Sequence, residues 1–389
     1  KPFLGRGTVL LYPDPLHIPM DMEKIYRKAL ALDFLTADEA LVLYESGPLD
    51  ELMSLAWELR QKHVPGRTVT WQIDRNVNIT NVCISGCKFC NFHCKPHDTQ
   101  RAFVTSREEY REKIAQTLAL GGDQLLLQGG LHPQLGIDFY EELFRDLKRM
   151  FPRIRLHALG APEVAHIARI SGLTTLETLR RLMAAGLDSL PGAGAEILDP
   201  DVRRAISPAK PSVASWLAVM HEAHTLGLAT SATMMYGHVE QPRQRVDHLL
   251  AIRDLQARCP EGKPGFLAFI PWIFRSTGTR LEAEGTSTDF SPLEYIRIIA
   301  ASRLILNNIP NIQASWLTVG RQTAQAALHS GANDMGSIMI EEHVVSSAGA
   351  DNRFDAEGIQ QAIREAGFTP RLRNQLYELR PWPLDDTLR

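Results

Sequence analysis

The sequence predicts a (β/α)8 barrel of the TIM type preceded by a helical extension, with the extension over residues 1–65 and the barrel, including a C-terminal tail, over 66–389. Three observations lead there. From Val69 onward short apolar runs alternate with amphipathic segments that begin on recognisable caps, and this favours a parallel sheet because each parallel crossover is usually a helix. The runs number eight, which suggests closure into a barrel. No G-x-G-x-x-G follows the first run, as an open doubly wound sheet that binds a dinucleotide would show.

In chain order, the stretch from about residue 20 to 64 reads as helical. Thr36 and Glu39 form a capping box before ALVLYE, and Leu52, Leu55, Trp57 and Leu59 recur through GPLDELMSLAWELR. The eight strand candidates follow: VTWQIDRNVNI, QLLLQ, IRLHAL, LDSLPG, ATSATMMYG, FLAFIPWIF, IQASWLTV and MGSIMI. Between them Ser106 with Glu109, Thr174 with Glu177, and Ser291-Pro292 with Glu294 mark helix starts, where a side chain can satisfy otherwise orphan backbone N–H groups. Tyr110, Ile114 and Leu118 lie on one helical face, and Gly121-Gly122 stops that helix.

Composition narrows the functional classes. Across 389 residues 42 Lys and Arg stand against 45 Asp and Glu, a net charge of −3, so no basic field is present to draw nucleic acid. No apolar run approaches the ~20 residues that cross a bilayer. The opening KPFLGRGTVLLYPDPLHIPM is broken by prolines and lacks a signal-peptide core, so a cytoplasmic protein without membrane partners is expected.

The five cysteines are unevenly placed: four fall within NVCISGCKFCNFHC and the fifth is Cys259. A disulfide framework does not suit so long a chain, whereas closely spaced thiolates can converge on a metal centre. Cys83, Cys87 and Cys90 form C-x3-C-x2-C directly after the first predicted strand. Three thiolates on a four-iron cluster would leave one iron open for chemistry. The alternative is a zinc site closed by Cys94, His93 or His97, in a barrel that serves as a binding scaffold.

This motif, with the aromatic Phe89 before its last cysteine, resembles that of the radical S-adenosylmethionine (SAM) superfamily. The resemblance implies that Cys83, Cys87 and Cys90 hold a [4Fe-4S] cluster whose open iron binds SAM, and that a reduced cluster cleaves SAM to a 5′-deoxyadenosyl radical. It also implies that Gln128, Gly129 and Gly130 of LQGGLHP lie near the SAM amino group, although Leu131 stands where the family usually has an acid. Glu196 in SLPGAGAEIL resembles the residue that binds the SAM ribose. A plain β/α turn and a helix-favouring acid are the structural alternatives for these positions.

The segments DSLPGAGAEIL, IQASWLTVG and GANDMGSIMIEEHVVSSAGA are similar to the subgroup that works on futalosine-type and deazaflavin precursors, and most similar to the dehypoxanthine futalosine cyclases of menaquinone biosynthesis. Aminofutalosine synthases and FO synthase subunits are close cousins. The resemblance implies removal of the C4′ hydrogen of the substrate ribose, ring closure onto the tethered benzoate, and loss of one electron and one proton. It further implies a flavodoxin or ferredoxin as electron donor.

The final proton requires a base. Asp334 and His238 rank first on position, with Glu341, Glu342 and His132 as further candidates and His132 also a possible substrate contact. Arg275 and Arg280 after the sixth strand suit a benzoate carboxylate. Ser315, Thr318 and Asn333 offer hydrogen bonds, while Tyr236 and Trp316 read as pocket wall or plain core. Met234, Met235, Met335 and Met339 read as packing, and Cys94 and Cys259 receive no role.

Overall fold

A computed structural model describes residues 21–288, 290–343 and 345–382; the proline-rich opening lies outside them. Three helices come first: α1 (Met22–Leu30), α2 (Ala37–Ser46) and α3 (Leu49–His63). The expected Thr36/Glu39 capping box is present at the start of α2. These helices pack on the outside of the barrel, α3 chiefly along the helix Pro292–Ile305. Arg60 of α3 is fully buried and donates to the carbonyls of Val64, Gly66, Thr68 and Ala332, which ties the helix to the barrel base.

The first strand run divides at Ile73 into β1 (Thr68–Gln72) and β2 (Asp74–Asn78). Then come β3 (Gln124–Gln128), β4 (Arg155–Ala158), β5 (Ser189–Leu190), β6 (Ala229–Tyr236), β7 (Phe266–Ile273), β8 (Asn311–Ile312), β9 (Asp334–Ser337) and β10 (Thr369–Leu372). Strands β2 to β8 form one parallel sheet in sequence order, and β1 lies between β9 and β10 in a second. The two sheets join into a closed cylinder. Gln313 bridges to Asp334, and Ile338 and Ile340 donate to the carbonyls of Gln72 and Asp74. Counting β1–β2 as one bent stave, eight parallel staves surround the axis, as the sequence predicts.

Two features differ from expectation. In IQASWLTV only Ile312 belongs to a strand and Gln313 to an isolated bridge, because Trp316–Val319 forms a helical turn. The tail adds β10, which pairs in parallel with β1 where β2 pairs with β3 higher up. The turn after β10 then passes beneath the barrel. There Arg373 donates to both carboxylate oxygens of Asp334 at 2.6 and 2.9 Å and to Gln72 Oε1 at 2.7 Å, with its guanidinium 4.0 Å from the centre of the Tyr377 ring.

The capped helices connect the staves. Ser106 and Glu109 form a capping box on α4 (Arg107–Ala119), which buries Tyr110 and Ile114. Thr174 and Ser291 accept hydrogen bonds from the backbone N–H groups of Glu177 and Glu294. No helix among the described residues is long and apolar enough to cross a membrane.

Breaking the Asp334–Arg373 pair leaves one charge buried without its partner. Asp334→Ala is expected to destabilise the protein by about 3–5 kcal/mol, and Arg373→Met by a similar amount, as measured by denaturant unfolding. Replacing both together is expected to cost less than the sum, because no charge is then stranded.

Candidate active site

The barrel encloses a cavity of about 400 Å³ that runs from the cysteine loop at the carboxyl ends of the strands to Arg373, Gln375 and Tyr377 at the floor. The loop after β2 carries the cysteines, held by bridges between Thr80 and Val104 and between Val82 and Cys94. Cys83, Cys87 and Cys90 all line the cavity. The Ser85 hydroxyl lies 2.9 Å from the Cys83 sulfur and 3.3 Å from that of Cys87. Burial pushes the Cys87 thiol up to about 11 and raises Cys90 as well, so these sulfurs favour the protonated form until a metal ion takes the proton's place.

The donor set fits a [4Fe-4S] cluster. Three thiols face one space, while Cys94 is buried and turned away, its sulfur 3.4 Å from Asn81 Oδ1. Of the histidines that could have closed a zinc site, His93 lines the cavity with Nδ1 at 2.7 Å from the Cys90 carbonyl, and His97 lies on an outer groove.

The glycine turn is packed directly against this loop. A Cβ on Gly130 would stand 2.2 Å from the Val82 carbonyl oxygen, so no side chain fits there. The Leu131 N–H donates to the Cys83 sulfur at 3.2 Å. Leu131, in the place of an acid, therefore contributes through its backbone. A carboxyl from elsewhere stands beside this turn: Glu163, in the helix Ala161–Ser171 after β4, accepts from the Gly129 N–H at 2.9 Å and lines the cavity. Burial pushes its carboxyl up to about 8. Sequence reading missed Glu163 because only the fold brings the start of that helix beside the β3 turn.

Glu196 also lines the cavity, 5% exposed, with φ at +44°, a left-handed conformation that costs a non-glycine residue about 1–3 kcal/mol. Its carboxylate is paired with Lys210 at 2.6 Å and Arg203 at 3.5 Å. The Lys210 ammonium stands 5.2 Å from the Phe89 ring centre, which links Glu196 to the cysteine loop.

The remaining expected residues divide. Gln128, Ser315, Thr318, Trp316 and Glu342 line the cavity, as does Met339, read from sequence as packing. Several others do not. Asp334, at the start of β9, lies at the base and is consumed by Arg373, the Thr70 hydroxyl and the Gly336 N–H, so its proposed role as a base fails on position. His238 has a fully buried side chain held by Glu240 and by the Met235 carbonyl, away from the cavity wall. Asn333 bonds Arg303, Asn311 and the Ile312 N–H in the barrel base. Tyr236 is core beneath the Arg245 guanidinium. His132 turns to the Gln134 N–H, and Glu341 pairs with Lys113, Arg75 and His343. Arg280 is an exposed partner of Glu284 on the outer surface, and half-buried Arg275 is not part of the lining.

Sequence reading also missed the inner face of β1 and β2. Gln72, Asp74, Asn76 and Asn78 point inward and line the cavity, while Trp71, Ile73, Val77 and Ile79 pack outward. Polar residues at every second position of a buried strand were the available signal.

Residues 77–252 match the model of the radical SAM superfamily, and 263–386 match that of the CofH/MqnC C-terminal region. A cyclic dehypoxanthine futalosine synthase of Streptomyces coelicolor is 43% identical over 92% of this chain and 88% of its own. The chain belongs to the radical SAM superfamily. It is a radical SAM enzyme, and its cofactors are a [4Fe-4S] cluster and SAM. The chain is also 38% identical, over 92% of its length and 97% of the relative, to a 5-amino-6-(D-ribitylamino)uracil–L-tyrosine 4-hydroxyphenyl transferase of Methanopyrus kandleri. The fold is shared with methylornithine synthase, at a TM-score of 0.67 and 19% identity over 90% of this chain and 98% of that one.

Cys83→Ala, Cys87→Ala and Cys90→Ala are each expected to lose the iron and sulfide of the anaerobically reconstituted protein, whereas Cys94→Ala keeps both, as read by metal analysis and the visible spectrum. Glu163 gives a pH signature in cofactor-free protein. Its folded carboxyl is raised from an ordinary value near 4.5 to about 8, so the folded state holds the extra proton and stability falls as pH rises through that window. Glu163→Gln is expected to flatten the decline, measured by denaturant unfolding at several pH values.

Proposed function

We propose that this enzyme closes dehypoxanthine futalosine to its cyclic form, a step of menaquinone biosynthesis. The observation that carries the reading is the cavity itself: a deep chamber inside the barrel with thiols and a glycine cradle at one end, a polar wall from β1–β2, and an apolar wall from Ala268, Ile270 and Trp272 of β7. Such a chamber suits a molecule with a hydroxyl-rich sugar at one side and an aromatic ring at the other. Identity of 43% to a relative named for that product supports the choice over the transferase names met at 38%.

When bound, the cluster and SAM supply one-electron hydrogen-abstraction chemistry. Cys83, Cys87 and Cys90 would hold the cluster, with the Leu131 N–H supporting the Cys83 sulfur. Glu163, which lines the cavity beside the Gly129 N–H, would accept from the SAM ammonium, and Glu196 would accept from its vicinal ribose hydroxyls. Ser315 and Thr318 line the substrate space, but their hydroxyls already donate to the Pro271 and Ser315 carbonyls and so would act as acceptors. The cavity's cations, Lys210 and Arg373, are paired with Glu196 and Asp334, so the benzoate carboxylate would rely on neutral donors or displace one of these partners. The barrel wall around the inner part of the cavity would limit the approach of water to a reactive carbon centre held there. A small acidic protein such as flavodoxin or ferredoxin would deliver the electron.

The test is anaerobic turnover with dehypoxanthine futalosine, SAM and a reductant. We expect 5′-deoxyadenosine together with a product lighter than the substrate by two hydrogens, seen by mass spectrometry. No product from this substrate, but one from 5-amino-6-(D-ribitylamino)uracil and tyrosine, would reassign the enzyme to the transferase reaction.

A further inference from the structure

The inner face of β1–β2 holds polar groups that the hydrogen bonds of the fold leave unsatisfied. Gln72, Asp74, Asn76 and Asn78 are each no more than 7% exposed, and all four line the cavity. Gln72 Nε2 and the Oδ1 atoms of Asp74, Asn76 and Asn78 are buried without a hydrogen-bond partner. An unpaired buried polar atom forfeits its hydration with nothing in return, and native interiors hold few of them. Here they follow one another along a single strand face.

We propose that Asn76 and Asn78, with Asp74 below them, form the subsite for the sugar hydroxyls of the substrate, an inference that rests on the substrate reading above and names the residues that recognise it. The chemistry of the strip selects the group. Asn76 and Asn78 each offer an acceptor oxygen and a donor amide nitrogen, and a hydroxyl can use both by donating to one and accepting from the other, whereas a carboxylate or phosphate could use only the nitrogen and would leave the oxygens unpaired. Alternate residues on a strand stand about 6.7 Å apart, comparable with the width of a sugar ring, so two neighbouring carboxamides can address hydroxyls on different carbons. Position agrees as well. Asn78 is in register with Gln128, next to the glycine turn, while Gln72 reaches Arg373 at the floor. A sugar on the upper rungs therefore lies at the cofactor end, and the aromatic part of the substrate can rest on Ile270 and Trp272.

Asn76→Leu and Asn78→Leu keep the size of the side chain and remove its hydrogen bonds. Each anaerobically reconstituted variant is titrated calorimetrically with dehypoxanthine futalosine, with analogues lacking single ring hydroxyls, and with methyl β-D-ribofuranoside. We expect the affinity for dehypoxanthine futalosine to fall about 5- to 100-fold, and the loss to vanish for the analogue that lacks the matching hydroxyl. Without ligand, the Leu variants should melt no lower than the wild type, because an unpaired buried group has gone. Wild-type affinity in a folded variant, or the same loss against every deoxy analogue, overturns the subsite. If a Leu variant fails to fold, Asn76→Ala and Asn78→Ala are read in the same titrations against the same outcomes. A wild type that binds the riboside through Asn76 yet does not convert dehypoxanthine futalosine supports the subsite and refutes the substrate reading. Conversion of that compound with indifference to both asparagines refutes the subsite alone.

Discussion

A closed parallel barrel has to satisfy two environments at once, since its outer wall meets helices and its inner wall meets whatever the barrel contains. The stave from Val69 to Thr80 meets this constraint with opposite chemistries on alternate residues. Val69, Trp71, Ile73, Val77 and Ile79 are buried on one side, with Arg75 the charged exception among them and paired with Glu341, while Thr70, Gln72, Asp74, Asn76, Asn78 and Thr80 alternate with them. Packing of the outer set sets the register, and a slip of one residue would exchange the two faces. The polar interior, and with it the room for a ligand, therefore follows from the demand that the apolar residues stay outside.

The two ends of the barrel use charge differently. At the base, Asp334 and Arg373 neutralise one another bidentately, and Gln72 and Thr70 complete their hydrogen bonds. Such pairs hold the tail turn under the barrel and leave little capacity for a reaction. Toward the mouth the balance is looser. Glu163 has backbone N–H groups and the Lys210 charge in its neighbourhood but no ion pair among the described residues, and burial outweighs them to raise its carboxyl. Glu196, by contrast, is paired with Lys210 and Arg203 on a left-handed backbone. Groups in this condition gain from a ligand that brings the missing charge or hydroxyl.

Much of the architecture was legible. The eight staves, the helix caps at Ser106, Thr174 and Ser291 and the cysteine loop after the first strand are local patterns, set by alternation, capping chemistry and spacing. The site was legible where function is carried by contiguous residues, as in Cys83, Cys87, Cys90, Gly129 and Gly130. It was not legible where assignment depended on which end of a strand a residue occupies. Asp334 and Asn333 were read as lying near the mouth because they neighbour a strand, yet they precede or begin β9 and so fall at the base. His238 follows β6 at the correct end, but Glu240 two residues later turns its ring away from the cavity.

The sequence by itself determined the alternation that makes a barrel and the three thiols that make a cluster loop, because each is encoded within a few neighbouring residues. Only the tertiary structure decided that Glu163 meets the turn at Gly129, that Arg373 claims Asp334, and that an unpaired strip from Asp74 to Asn78 faces the cavity. Those contacts join residues tens of positions apart, or depend on which side of a wall is closed. Their energies come from burial, which exists only once the barrel has formed.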